Sequence, residues 1–122
     1  MSGADRTIGE LDWYLRDHLF RQSNAGKTSF RLEALPNDMV TLYLRYRGTD
    51  PAALSETMKT VIASLVSRTV LLQTGNEVTL SAKLARMQCA KCFYINYLID
   101  AEPRACMRCQ AAELHEFPKR KA

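Results

Sequence analysis

The sequence has no apolar run long enough to cross a membrane and no targeting segment. It also lacks internal repeats and low-complexity segments. These absences exclude a membrane span and lead us to expect a cytoplasmic protein. Since 47% of the 122 residues are hydrophobic, the chain can bury a core, and a disordered chain is not expected.

Patterns typical of catalysis are also missing. We find no convincing acid–base pair and no nucleophile constellation. Gly26-Lys27-Thr28 resembles the end of a phosphate-binding loop, but that motif needs a glycine where Arg21 stands, with a strand before it and a helix after it. The sequence therefore predicts a protein that is not an enzyme.

The net charge of +4 is unevenly distributed along the chain. Residues 1–82 carry nine Lys/Arg and nine Asp/Glu, whereas residues 83–122 carry eight Lys/Arg and four Asp/Glu. The whole basic excess therefore lies in the C-terminal third. A modest basic surface of this kind permits contact with nucleic acid.

All four cysteines lie in this basic third, in two Cys-x-x-Cys pairs. Cys89-Ala90-Lys91-Cys92 and Cys106-Met107-Arg108-Cys109 are separated by thirteen residues. A Cys-x-x-Cys turn, or zinc knuckle, directs two thiolates toward one point, and two knuckles complete a tetrahedral sulfur site. The spacing predicts that Cys89, Cys92, Cys106 and Cys109 bind Zn²⁺ in a closed, structural site.

Other uses of paired cysteines fit less well. Two disulfides would need an oxidising compartment, and a thioredoxin-like motif would place a single pair at the start of a helix. Haem attachment needs a histidine where Phe93 and Gln110 stand. Iron of the rubredoxin type is the main alternative to zinc, although its knuckles usually carry Pro and Gly.

Hydrophobic periodicity predicts an α+β fold in the order helix, β-hairpin, helix, strand and four-cysteine zinc ribbon. Thr7 begins a capping box for the first helix, which should end near Gln22. Its apolar positions recur at helical spacing, at Ile8, Leu11, Leu15 and Leu19.

Alternating residues next predict a β-hairpin over residues 28–47, with Pro36-Asn37-Asp38 as its turn. One face of this hairpin would expose Tyr43, Arg45 and Arg47 together. An exposed aromatic ring beside arginines can stack on bases and hold phosphates. The same face could equally be solvated or form a dimer contact.

Asp50 and Pro51 are typical of a helix N-terminus, as N-cap and first helical residue. This second helix should continue to about Leu72, unless residues 69–73 already form a strand. Its apolar stripe comprises Leu54, Met58, Val61, Ile62, Leu65 and Val66. A strand over residues 77–84 follows.

The ribbon should occupy residues 85–117, after a small α+β domain over residues 1–84 and before a basic tail over residues 118–122. The segment between the knuckles is predicted to be a short hairpin, with residues 93–99 rich in aromatic and β-branched side chains and Arg104-Ala105 leading into the second knuckle. Asp100 and Glu102 lie in the connecting turn, where we expect solvated side chains.

The segment Leu84-Ala85-Arg86-Met87-Gln88-Cys89-Ala90-Lys91-Cys92-Phe93, followed by Cys106-Met107-Arg108-Cys109-Gln110 and a basic end, resembles the zinc-binding region of the flagellar transcriptional activator family FlhC. The resemblance covers about a third of the chain. It implies a zinc site with the four cysteines as ligands, a multimeric activator assembly and contact with DNA.

Two functions follow as hypotheses. In the first, the protein regulates transcription by contacting DNA or RNA polymerase, and the phosphate contacts come from Lys91, Arg104, Arg108, Lys119, Arg120, Lys121, Arg45 and Arg47. In the second, zinc only stabilises a protein-interaction module, and aromatics among Phe93, Tyr94 and Tyr97 bind a protein partner or a second copy. Binding to phosphate would weaken steeply with salt, whereas an aromatic interface would not.

Overall fold

The computed structural model describes residues 3–117, with side chains from residue 8 onward. It is an α+β fold of three helices and two three-stranded antiparallel sheets, which confirms the predicted class. The elements in chain order are α1 (Gly3–Asn24), β1 (Ser29–Arg31), a 3-10 helix (Leu32–Ala34), α2 (Leu35–Leu42), a second 3-10 helix (Leu44–Tyr46), α3 (Pro51–Ser67), β2 (Leu71–Thr74), β3 (Glu77–Leu80), β4 (Ala85–Cys89), β5 (Ile95–Leu98) and β6 (Leu114–Glu116). None of the helices within residues 3–117 has the length and apolar character that a membrane span requires.

Helix α1 confirms the predicted apolar stripe, because Leu11, Leu15 and Leu19 are fully buried. The helix begins at Gly3, four residues before the predicted cap at Thr7. The three leucines recur at a spacing of four residues, so they line one face of the helix.

The predicted hairpin over residues 28–47 is wrong. Only Ser29–Arg31 forms a strand there, and its partner is β3. Residues 35–42 form α2 instead, because Pro36 suits the first turn of a helix and Leu35 and Met39 share one buried face. Leu42 and Leu44, which the strand pattern placed inside, are 56% and 76% exposed.

The N-terminus of α3 is as predicted. The Asp50 carboxylate accepts a hydrogen bond from the Ala52 N–H at 3.1 Å, and Pro51 opens the helix. Five members of the predicted stripe are buried and Val66 is partly buried. The buried five are Leu54, Met58, Val61, Ile62 and Leu65.

Helix α3 ends at Ser67 rather than at Leu72, so the alternative of an early strand is correct. Thr69 has a φ of 62°. The N–H of Val70 donates to the Leu65 carbonyl at 2.9 Å, and the N–H of Thr69 donates to Val66 at 3.1 Å. These two bonds form a Schellman motif, with Thr69 where glycine is usual.

The first sheet has the order β1-β3-β2. Strands β2 and β3 form a hairpin in which Thr74 pairs with Glu77. The two turn residues are Gly75 and Asn76, and the φ of Gly75 is 59°. A glycine in the left-handed region at the first turn position is typical of two-residue hairpins.

The second sheet has the order β5-β4-β6 and contains both knuckles in its connections. The partner of β5 is β4, which precedes the first knuckle, so the predicted hairpin between the knuckles is wrong. Strand β6 follows the second knuckle and pairs with the other edge of β4, where Cys89 lies opposite Leu114. The two knuckles therefore lie at the same end of the sheet.

One buried cluster spans both sheets and the helices. It includes Tyr97 and Ile99 from the ribbon together with the core leucines of α1. The indole N–H of Trp13 on α1 donates to the Ile95 carbonyl of β5 at 2.7 Å. The predicted boundary between residues 84 and 85 lies between the sheets, and the core is continuous across it.

Candidate metal centre

The side chains of the four cysteines converge. Their sulfur atoms all lie within 4.8 Å of one another. The Sγ atoms of Cys89 and Cys109 are 3.5 Å apart, and those of Cys92 and Cys106 are 3.6 Å apart. A disulfide needs about 2.05 Å between its sulfur atoms, so these are free thiols arranged as a group that could hold a metal ion.

The two knuckles use the same backbone pattern. In the first, Phe93 N–H donates to the Cys89 carbonyl at 3.0 Å; in the second, Gln110 N–H donates to the Cys106 carbonyl at 2.9 Å. The N–H of Lys91 also donates to Cys89 Sγ at 3.3 Å. The N–H at the matching position of the second knuckle donates to Cys106 Sγ at 3.4 Å.

The residue after each knuckle has a left-handed backbone. The φ of Phe93 is 64° and that of Gln110 is 67°. Glycine is the residue that adopts this conformation without strain, and neither position has it. The turn needed to converge the sulfurs is thus formed at two strained residues.

Asn96, on the strand between the knuckles, fixes the second knuckle to β5. It is fully buried. Its side-chain NH₂ donates to Cys106 Sγ at 3.6 Å and to the Tyr94 carbonyl at 3.1 Å, while its oxygen accepts from the Met107 N–H at 2.7 Å. Asn96 was not predicted from the sequence, although a lone amide inside an otherwise apolar strand is a visible signal.

Hydrogen bonding favours the thiolate at two of the sulfurs. Burial opposes ionisation of Cys106, but bonds from the backbone N–H groups of Cys109 and Arg108 and from Asn96 lower its pKa to about 6. The pKa of Cys89 is also lowered, first by the backbone N–H at the end of its own knuckle. The lowered pKa of both thiols favours the thiolate, which is the form that binds a cation.

The other two sulfurs, Cys92 and Cys109, complete the group of four. The Tyr94 N–H favours ionisation of Cys92, but desolvation and the neighbouring sulfurs raise its pKa to about 12, so this thiol keeps its proton until a cation compensates. Cys89 and Cys106 are buried, whereas Cys109 is exposed. Four sulfurs fill a tetrahedral shell, which is the arrangement of a structural metal site.

The predicted basic residues lie at different places. Lys91 and Arg108 are exposed on the two knuckles. Lys91 is 3.8 Å from a Glu113 oxygen, and the Arg108 guanidinium lies over the Tyr94 ring, 5.9 Å from its centroid. Arg104 is exposed at the far end of the sheet. The predicted contacts Lys119, Arg120 and Lys121 lie outside the described residues.

The expected exposed sheet face of Tyr43, Arg45 and Arg47 does not form, because this segment is a 3-10 helix with its flanking residues. The Tyr43 hydroxyl donates to Asp17 Oδ2 at 2.7 Å. Arg45 forms an ion pair with Glu10, and Arg47 is exposed. Arg45 lines a groove together with Tyr94 of the ribbon.

The turn after β5 also differs from expectation. Asp100 is exposed, but the Glu102 carboxylate is only 8% exposed and pairs with Arg16. Its oxygens lie 2.7 and 2.8 Å from the two guanidinium NH groups, and one accepts the Ile99 N–H at 3.0 Å. Glu102 therefore joins the ribbon to α1 rather than facing solvent.

Comparisons with known protein families, curated protein sequences and solved structures found no match. The resemblance to FlhC stays a prediction that rests on the C-terminal residues alone.

Proposed function

We propose that the four cysteines bind one Zn²⁺ as a structural ion. A tetrahedral site with Zn–S bonds of about 2.3 Å has sulfur atoms about 3.8 Å apart. The distances of 3.5 Å between Cys89 and Cys109 and 3.6 Å between Cys92 and Cys106 are close to this value. The knuckles also lack the Pro and Gly of rubredoxin-type iron sites, which favours zinc over iron.

We propose further that this zinc ribbon belongs to a nucleic-acid-binding regulator. One observation carries the proposal: Lys91 and Arg108 occupy the same position in the two knuckles, and each donates its backbone N–H to a cysteine sulfur. The metal thus fixes the backbone of two exposed cations. Cations held at a fixed spacing suit phosphate contacts, which position a protein on nucleic acid.

Arg104 and Arg47 are further exposed cations outside the knuckles. Phosphate contacts alone do not read sequence, so they would hold the protein on DNA or on a nucleic-acid-bound polymerase. In this proposal the protein regulates transcription by occupying DNA or by binding the transcription machinery. Free thiols and zinc suit a reducing compartment such as the cytoplasm.

The test is duplex-DNA binding by the zinc-loaded protein at two salt concentrations. We expect the affinity to decrease steeply with salt, and Lys91→Ala or Arg108→Ala to lower the logarithmic salt slope by about one unit each. Lys59→Ala is the matched control, because Lys59 is an exposed lysine of α3 outside the ribbon. Loss of affinity that is equal in Lys59→Ala and the two knuckle variants would contradict the proposal.

A protein-interaction module is the second candidate, and Phe93 favours it. Phe93 is 68% exposed and is the strained residue that follows the first knuckle. Tyr97, also predicted to contact a partner, is buried at 1% exposure. A partner bound through Phe93 would be insensitive to salt. In the same titrations, absence of any DNA binding would favour this candidate.

A further inference from the structure

A groove of about 300 Å³ lies between α1, the second 3-10 helix and Tyr94, which directly precedes β5. Its lining residues are Glu10, Trp13, Tyr14, Arg45 and Tyr94. The three aromatic side chains are half-buried, so each ring has one part packed and one part open to solvent. A volume of this size is at the lower end of the range for small-ligand sites.

The aromatic rings of the groove are held in place. The Trp13 indole N–H is bonded to Ile95, and its ring contacts Tyr14 edge-on at 5.0 Å and Tyr94 at 6.1 Å between centroids. Behind it, the ring of Tyr97 is 5.5 Å away. Because these rings are already fixed, a planar ligand would order no side chain when it stacks on them.

Three charged side chains lie at or beside the groove. Arg45 and Glu10 line it as an ion pair, and the ring of Tyr46, 5.4 Å away, also orients the Arg45 guanidinium. Arg108 of the second knuckle lies over Tyr94, and the net positive charge comes from its guanidinium. Because two guanidinium groups outnumber one carboxylate here, a cationic ligand is disfavoured. A ligand with planar rings on an anionic chain is favoured.

We propose that this aromatic groove binds an unpaired nucleobase, with the flanking phosphates held by Arg45 and Arg108. Aromatic rings beside arginines bind single strands by stacking on the bases. This stacking tolerates any sequence, because every base has a π-face. Bases inside a duplex are stacked on their neighbours and cannot reach the groove. The inference rests on the proposed nucleic-acid function, and it names unpaired strands as the preferred form.

Trp13 is the only tryptophan of the chain, so its fluorescence reports on the groove directly. The zinc-loaded full chain is titrated with an oligothymidylate of about ten nucleotides. The second probe is a strand with the same number of phosphates and abasic central positions, and the third is a duplex of equal length. We expect the oligothymidylate to quench Trp13 fluorescence. The abasic strand should bind about 5- to 150-fold more weakly, which is the usual effect of losing one stacked base.

Tyr94→Ala should produce the same loss for the oligothymidylate and a smaller loss for the duplex, which Tyr94 affects only through the Arg108 guanidinium that lies over its ring. Phe93→Ala is the matched control, because it removes the neighbouring exposed ring that does not line the groove. The zinc content of each variant checks that the knuckle is intact. The abasic strand tests the inference even if Tyr94→Ala does not fold, since it leaves the protein unchanged.

Equal affinity for the abasic and normal strands, with duplex binding retained, would overturn the inference that the groove binds a base. The proposed nucleic-acid function would then still stand. Absence of binding to any of the three probes would overturn both. Trp13 fluorescence that changes with protein concentration alone would identify the groove as a contact between two copies and would also overturn the inference.

Discussion

Arg16 on α1 forms a two-pronged ion pair with Glu102, 86 residues further along the chain, at 2.7 and 2.8 Å. The Arg16 side chain is 1% exposed and also donates to Asp12 and to the Tyr97 carbonyl. Since Glu102 lies between β5 and the second knuckle, this pair fixes the ribbon against the helical core.

Arg16→Met should destabilise the protein by about 3 kcal/mol or more, because it leaves the Glu102 carboxylate buried without its main partner. Urea unfolding in excess zinc measures this change. Lys59→Met is the control, since it removes an exposed pair with Glu56 and should cost less than about 1 kcal/mol. Equal effects of the two substitutions would contradict the role given to Arg16.

Glu102 should also contribute a pH dependence to stability. Burial opposes its ionisation, but hydrogen bonds from Arg16 and the Ile99 N–H outweigh burial and lower its pKa below the ordinary value of 4.5. Its stabilising contribution is therefore complete above about pH 4.5 and is lost as the pH falls through the folded-state pKa.

The stability difference between wild type and Glu102→Gln should accordingly be constant near neutral pH and narrow below about pH 4.5. Loss of the metal in acid destabilises both proteins equally. The difference between their free energies of unfolding therefore reports the contribution of Glu102 alone. Urea unfolding at a series of pH values measures it, and a difference that widens in acid would refute the assignment.

Asn96→Ala should weaken metal binding by about 10- to 100-fold, the usual effect of removing a group that orients a metal ligand. The substitution removes the bonds to Cys106 Sγ and to the Met107 N–H. Competition with a coloured chelator measures the affinity. Asn76→Ala, in the β2–β3 turn, should leave it unchanged, and an equal loss in both variants would argue against a specific role.

The left-handed backbone at Gln110 gives a prediction with an internal control. Gln110→Gly and Gln110→Ala both remove the side chain, but only the glycine relieves the strain at a φ of 67°. We expect the glycine variant to be more stable than the alanine variant by about 1 kcal/mol. Thermal unfolding in zinc compares them, and the reverse order would be inconsistent with this knuckle geometry.

The features that were predictable from the sequence have local causes. The spacing of the cysteines was enough to predict their convergence, and Asp50-Pro51 was enough to predict the start of α3. The helix at residues 35–42 was missed because Pro36-Asn37-Asp38 suits both a turn and a helix N-terminus. The apolar residues after this segment alternate as they would in a strand. Tertiary packing nevertheless stabilises a helix over residues 35–42.

The contacts missed from the sequence join distant residues. Glu102 looked like an ordinary turn residue because its partner Arg16 is far away in the chain. The aromatic groove likewise combines Trp13 of α1 with Tyr94 of the ribbon. Hydrophobic periodicity predicts one helix or strand at a time. It therefore could not predict the Arg16–Glu102 pair or the Trp13–Tyr94 contact, which both depend on the packing of the second sheet on α1.

Native mass spectrometry of the purified chain tests the central claim, that the four cysteines form one zinc site. We predict a single Zn²⁺ per chain and its loss in Cys106→Ser, which removes a buried ligand. A metal-free chain lighter by four hydrogen atoms would indicate two disulfides, and bound iron would indicate the wrong metal. Either result would contradict the account.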